Sequence, residues 1–276
     1  MTDFVTGDWV AARLDELVVV DVRDAWEYDG IGHVPGAVNV PFDSFRAGGE
    51  SEDDGGVDSA DGTDGGSTGM LPTREAFERL MSEAGITPSD DIVAYDDMHG
   101  VFAARFLVTA ELLGHDPDRL HLLDGDFSAW QLERETSSET VDVEPTEYVV
   151  EPPASTPLVG PDEVARARDR GAALVDTREA REYEEGHIPG AIALDWREFV
   201  DDESRGLLPV EEIRSILEAR GLTPDREIVL YCNTARRISH TYVVLRHLGY
   251  ETLAFYEGSL TEWERDGRPI ETGDGG

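Results

Sequence analysis

The chain is written twice. Val18-Val19-Val20-Asp21-Val22-Arg23 returns as Ala173-Leu174-Val175-Asp176-Thr177-Arg178, and a charged turn with Glu27-Tyr28 returns with Glu182-Tyr183. Gly32-His33-Val34-Pro35-Gly36-Ala37 is echoed by Gly186-His187-Ile188-Pro189-Gly190-Ala191. Asp91-Ile92-Val93-Ala94-Tyr95-Asp96 is echoed by Glu227-Ile228-Val229-Leu230-Tyr231-Cys232. Leu113-Gly114-His115 and Asp124-Gly125 with Trp130 then match Leu248-Gly249-Tyr250 and Glu257-Gly258 with Trp263. So many blocks kept in one order make two copies of a single unit, which fixes the architecture before any element is assigned.

Within each copy, short β-branched runs alternate with helical stretches of roughly ten residues. That alternation is the pattern of an α/β domain, a mainly parallel central sheet flanked by helices. The expected domains are residues 1–143 and 158–276. Residues 144–157, which include Pro145, Pro152 and Pro153, are the connector and should be extended. Residues 47–69 of the first copy are almost all Gly, Asp, Glu and Ser and read as a solvated, mobile insertion. The second copy crosses the same gap with residues 200–206 alone.

A length of 276 residues allows each copy its own core, and a hydrophobic share of 39% with five Trp and nine Phe is that of a folded protein. The net charge is −37, and the sequence has no lysine. Such a surface repels nucleic acid and anionic membranes, so neither is expected as a partner. It resembles the cytosolic proteins of salt-loving archaea, in which molar salt screens self-repulsion over a few ångströms. Met1-Thr2-Asp3-Phe4 lacks the basic and apolar runs of a signal peptide, and no segment has the apolar length of a membrane span. A cytoplasmic location is expected. The lone cysteine excludes a disulfide framework and any multi-cysteine metal site.

That cysteine, Cys232, falls where the buried run Ile228-Val229-Leu230-Tyr231 hands over to an amphipathic stretch from Ile238 to Leu248. A loop leaving a strand for a helix turns successive N–H groups inward, and the helix N-terminus adds partial positive charge. With Arg236 and Arg237 beside it, Cys232 is placed to be a thiolate nucleophile, and the same features would draw an oxyanion. The first copy has Asp96 at that position. An acid cannot serve as a thiolate nucleophile, so this copy is expected to be non-catalytic and to wall off the cleft. Asp21 and Asp176 end strands and should hold nearby amides or arginines. His33 and His187, in tight Pro-Gly turns, should orient backbone, and Trp130 and Trp263 should pack C-terminal helices on their sheets.

The Asp-X-Arg segments at Asp21 and Asp176, the paired Gly-His-X-Pro-Gly-Ala blocks, Tyr95-Asp96-Asp97 with Ala103-Ala104-Arg105, and the Cys232 loop together resemble the tandem-domain rhodanese family of sulfurtransferases. The resemblance spans the whole chain. It implies two rhodanese-like domains with the active cysteine in the second. It also implies a two-step reaction: Cys232 takes the outer sulfur of thiosulfate as a persulfide, then passes it to cyanide or a thiol. No metal or organic cofactor is implied. The substrate-binding loop is Asn233, Thr234, Ala235, Arg236 and Arg237, whose two guanidiniums suit a dianion better than the neutral Gly-Ser-Gly-type loop of mercaptopyruvate enzymes. Where tandem members often supply another arginine this chain has Glu182, with Arg178 and Arg181 as candidates to replace it. A 3-mercaptopyruvate sulfurtransferase, a sulfur-relay protein with a protein acceptor, and a non-enzymatic scaffold are the alternatives. A cysteine phosphatase of related fold needs arginine six positions after the cysteine, where this chain has Ile238.

Overall fold

A computed structural model describes residues 2–47 and 70–273, so the insertion expected at 47–69 lies, apart from Ala47, outside the described residues. The first copy runs β1 (Asp3–Thr6), α1 (Gly7–Ala11), β2 (Val18–Asp21), α2 (Ala25–Ile31), β3 (Val38–Asn39), α3 (Arg74–Glu83), β4 (Ile92–Tyr95), α4 (Val101–Leu113), β5 (Leu120–Asp124) and α5 (Phe127–Glu133). The second runs α6 (Pro161–Arg170), β6 (Ala173–Asp176), α7 (Ala180–Glu185), β7 (Ile192–Ala193), α8 (Val210–Glu218), β8 (Ile228–Tyr231), α9 (Arg236–His247), β9 (Leu253–Phe255) and α10 (Ser259–Arg265).

Each copy has its own wholly parallel sheet, ordered β1-β5-β4-β2-β3 in the first and β7-β6-β8-β9 in the second. The registers repeat: Asp21 lies opposite Tyr95 as Asp176 lies opposite Tyr231. The central strands β4 and β8 are buried along their whole length, as expected of parallel strands covered on both faces. Because strand ends in such sheets carry the loops that bind ligands, the two Asp-X-Arg segments and the Asp96 and Cys232 loops share one rim in each copy.

A single apolar core runs through both copies where α4 lies against α9. α4 is apolar nearly all round, because one side meets its own sheet and the other meets the second copy. Two matching carboxylates fasten the copies. Asp124, at the end of β5, accepts the Leu207 N–H at 2.8 Å. Glu257, at the same place after β9, accepts the Leu71 N–H at 2.8 Å and the buried Arg105 guanidinium at 2.6 Å. Residues 138–157 have neither helix nor strand, yet this stretch lies along α3. Tyr148 is buried, its N–H donates to Ser82 Oγ at 3.1 Å, and its hydroxyl lies 3.0 Å from His115 Nδ1.

Candidate active site

A charged stack underlies both sites. In the second copy Arg178 donates to both carboxylate oxygens of Asp176, at 2.7–3.1 Å, and to the Gly186 carbonyl at 2.6 Å. Tyr231, one residue before the cysteine, accepts the Ile188 N–H at 3.1 Å. The first copy repeats this with Arg23, Asp21, Gly32 and Tyr95, whose hydroxyl donates to Asp21 at 2.6 Å. Burial, reinforced by the adjacent carboxylate, holds both tyrosine hydroxyls well above their usual range, so each stays a neutral donor. His33 and His187 stack flat on Tyr28 and Tyr183 beneath the rim, and Trp130 and Trp263 are buried against their sheets.

Cys232 directly follows β8 with 2% of its surface exposed. Its N–H donates to Ser259 Oγ at 3.1 Å, and its carbonyl accepts the Leu260 N–H at 3.0 Å, so the start of α10 braces it from behind. Thr261 Oγ1 donates to the Asn233 carbonyl at 2.9 Å. Ala235 closes the loop in the left-handed region, φ 66°, and α9 begins at the next residue.

The first copy shows what such a loop binds. Asp96 is buried, and its carboxylate accepts the N–H groups of Met98, Gly100, Phe102 and Ala103 at 2.7–3.0 Å. Burial alone would make that acid hard to ionise and pushes it above the ordinary aspartate range, while the four amides oppose the rise. The loop is an anion cradle filled by its own side chain. Cys232 stands at the same strand end in the second copy, four residues before its helix rather than five.

The two loop arginines are engaged differently. The Arg236 guanidinium lies over the Phe102 ring, 4.6 Å from its centroid, so it crosses to the first copy. Burial and the neighbouring Arg237 lower its affinity for its proton, while the charges of Cys232 and Asp96 oppose that shift. Arg237 is held by Glu182: Nη1 pairs with Oε2, and Nη2 donates to Oε1 at 3.2 Å. Burial works against the Arg237 charge, but Glu182 and then Cys232 outweigh it and raise the guanidinium above its usual range. Glu182 also accepts from Asn233 Nδ2 at 2.9 Å, and burial notwithstanding, these partners hold its carboxyl below the usual range.

Asn233, Ala235, Arg236 and Arg237 are thus brought together around Cys232, whereas Thr234 faces solvent. Arg178 lies one step back, its Nη1 3.4 Å from Asn233 Oδ1 and its other donors spent on Asp176 and Gly186. The Arg181 side chain is 86% exposed and pairs with Glu185, outside this network. Nothing in the residue pattern signals that Glu182 binds Arg237, that Phe102 meets Arg236, or that Ser259 and Thr261 brace the loop. The one clue is that Glu182 occupies a position where arginine is expected. Among the described residues no group of His, Cys, Asp and Glu is arranged to hold a metal ion, and no helix is long and apolar enough to cross a membrane.

A family model, the rhodanese-like domain, matches residues 6–133 and again 160–266. The thiosulfate sulfurtransferase of Azotobacter vinelandii is 33% identical over 267 residues, covering 91% of this chain and 90% of its own length. That of Pseudomonas aeruginosa is 31% identical, covering 90% and 88%. The chain belongs to the rhodanese family. Rhodanese folds also appear among solved structures. The 3-mercaptopyruvate sulfotransferase SseA of Escherichia coli superposes with a TM-score of 0.76 at 24% identity, over 94% of this chain and 99% of its own. An anaerobic ergothioneine biosynthesis enzyme of Chlorobium limicola gives 0.82 at 19%, over 98% and 70%. At these identities the two structures speak for the fold alone. This rhodanese is a sulfurtransferase of two rhodanese-like domains.

Proposed function

We propose that the chain moves sulfane sulfur from thiosulfate to a nucleophilic acceptor, with Cys232 as the residue that carries it. The observation behind this reading is the contrast between the copies: a strand-to-helix cradle that holds the Asp96 carboxylate in one copy presents a thiol flanked by Arg236 and Arg237 in the other. Cys232 sulfur attacks the outer sulfur of thiosulfate. The S–S bond breaks, sulfite leaves with the bonding pair, and the enzyme keeps a persulfide. Arg236 and the first amides of α9 stabilise charge on that outer sulfur, while Asn233, Ser259 and Thr261 fix the loop. A nearly enclosed thiol suits a donor that offers a single terminal sulfur.

A second donor, 3-mercaptopyruvate, is favoured by one detail. Glu182 neutralises Arg237 and leaves Arg236 as the loop guanidinium facing the first copy, an arrangement fit for a monoanion. We read the acidic, lysine-free composition as adaptation to molar salt inside a cell. The experiment is mass spectrometry of the whole chain after each donor. A gain of one sulfur atom on Cys232 is expected from thiosulfate and none in Cys232→Ser. A wild-type chain that gains sulfur only from mercaptopyruvate transfers the assignment to that donor, and one that gains none from either refutes sulfur transfer through Cys232.

A further inference from the structure

The first copy has lost the cysteine but kept the space around it. A cavity of about 500 Å³, within the range of small-molecule sites, opens at the carboxyl ends of β2 and β4. Its walls include Arg23, Glu27, Phe42, Arg46 and Phe102 and, from the Cys232 loop, Arg236. We propose that this cavity binds a zwitterionic amino thiol and presents it as the acceptor of the Cys232 sulfur, an inference that rests on the sulfur-transfer reading above.

One donor on each of two arginines in the cavity wall is unmet. In the second copy Arg178 Nη1 reaches Asn233 Oδ1 at 3.4 Å. The matching Arg23 Nη1 is buried without a hydrogen-bond partner among the described residues. The reason is that Asp97, the residue at Asn233's place, accepts the Ser128 N–H and faces Arg205 instead. Arg46 Nε is likewise buried and unpartnered among the described residues, although Arg46 Nη2 pairs with Asp43 and the guanidinium lies over the Phe42 ring. Buried donors left without acceptors cost free energy, so an occupant that brings a carboxylate is favoured. A bare anion would also meet the Asp24 and Glu27 carboxylates, which share the lining. An ammonium beside a carboxylate answers both signs. Phe42 and Phe102, edge to face with centroids 4.6 Å apart, give a short carbon chain its apolar contact. Arg236 both lines the cavity and belongs to the Cys232 loop, four residues after the cysteine, so the cavity opens against the loop that carries the sulfur.

The transfer balances without a further reagent. The acceptor thiol gives its proton to water, and its thiolate attacks the outer sulfur of the persulfide. The S–S bond breaks with its electron pair returning to Cys232 sulfur, and the acceptor departs as its own persulfide.

The test loads the full chain with thiosulfate, removes the excess, and follows discharge by mass with L-cysteine or with cyanide. Arg46→Gln and Glu27→Gln are the variants, the latter keeping an acceptor for the capping box it forms with Asp24. Each is expected to raise the half-saturating concentration of L-cysteine about tenfold more than that of cyanide, the loss of one charge-assisted contact. Equal effects on the two acceptors, or none, overturn the site. A chain that never takes up sulfur contradicts the donor assignment, and calorimetry with L-serine, the same head group without sulfur, then decides. Wild-type binding weakened about tenfold by both variants sustains the site, and no binding to the wild type overturns it.

Discussion

Arg237 and Glu182 pair at the Cys232 loop, where we propose that the donor's anionic head settles, and on that reading the ion pair competes with the donor for the guanidinium. Neutralising the carboxylate while keeping its oxygen for Asn233 should release Arg237 to the substrate. Glu182→Gln is therefore expected to lower KM for thiosulfate by about three- to tenfold, as befits a partly exposed charge contact, with kcat changed less. Arg237→Ala should move KM the other way. Steady-state kinetics with thiosulfate checks both, and a higher KM in Glu182→Gln would make the carboxylate a holder of the loop rather than a rival of the donor. At this scale the sequence pointed to Cys232, both loop arginines and the Asp96 position as candidates, since all lie within a few residues of a strand end. It could not disclose the Glu182–Arg237 pair or the Phe102–Arg236 stack. Both join residues far apart in the chain, and only the packed fold decides which of many charges meet.

Elements with strong local signals were legible in advance. The β-branched runs became β2, β4, β6 and β8, and the repeat led directly to two parallel sheets. The connector was legible only as proline-rich, because what pins it lies elsewhere. Tyr148 is received by Ser82 and His115, and Arg74 donates to the Val150 carbonyl at 2.9 Å. Gly114 makes this docking possible. It ends α4 at φ 122°, and a Cβ there would lie 2.2 Å from the Glu151 carbonyl oxygen. Gly114→Ala adds a left-handed strain to a backbone clash and should destabilise the chain by about 2 kcal/mol or more. Urea unfolding measures it. Gly190, also at positive φ but with nothing within 4 Å of where a Cβ would stand, is the control, and its alanine variant should lose only the strain, about 1 kcal/mol.

The whole molecule carries 60 acidic against 23 basic side chains, so attractive surface pairs are outnumbered by repulsion that every ion in solution weakens. Raising KCl from about 0.1 M to about 2 M should therefore raise Tm, and a melt whose midpoint falls with salt would show ion pairs dominating. Acid acts on a different feature, the seam between the copies. His240 on α9 is fully enclosed there, its ring 5.2 Å from that of Trp196 and 6.4 Å from that of Phe4 on β1. Both ring nitrogens are without a hydrogen-bond partner among the described residues. Burial, with the nearby His99 charge adding to it and the His99 backbone opposing it, brings the imidazole down from 6.5 to about 3. The unfolded chain thus binds a proton that the folded chain refuses between those values. Stability contributed by the neutral ring is complete above the unfolded value and is lost as pH falls toward the folded one, by at most about 1.4 kcal/mol per pH unit. In His240→Leu this loss disappears while every other titratable group is kept. The difference in unfolding free energy between wild type and variant, followed by denaturant titration from about pH 7 to about pH 4.5 at constant salt, should turn steadily against the wild type. A difference that stays constant would place that proton inside the fold and leave the seam insensitive to acid.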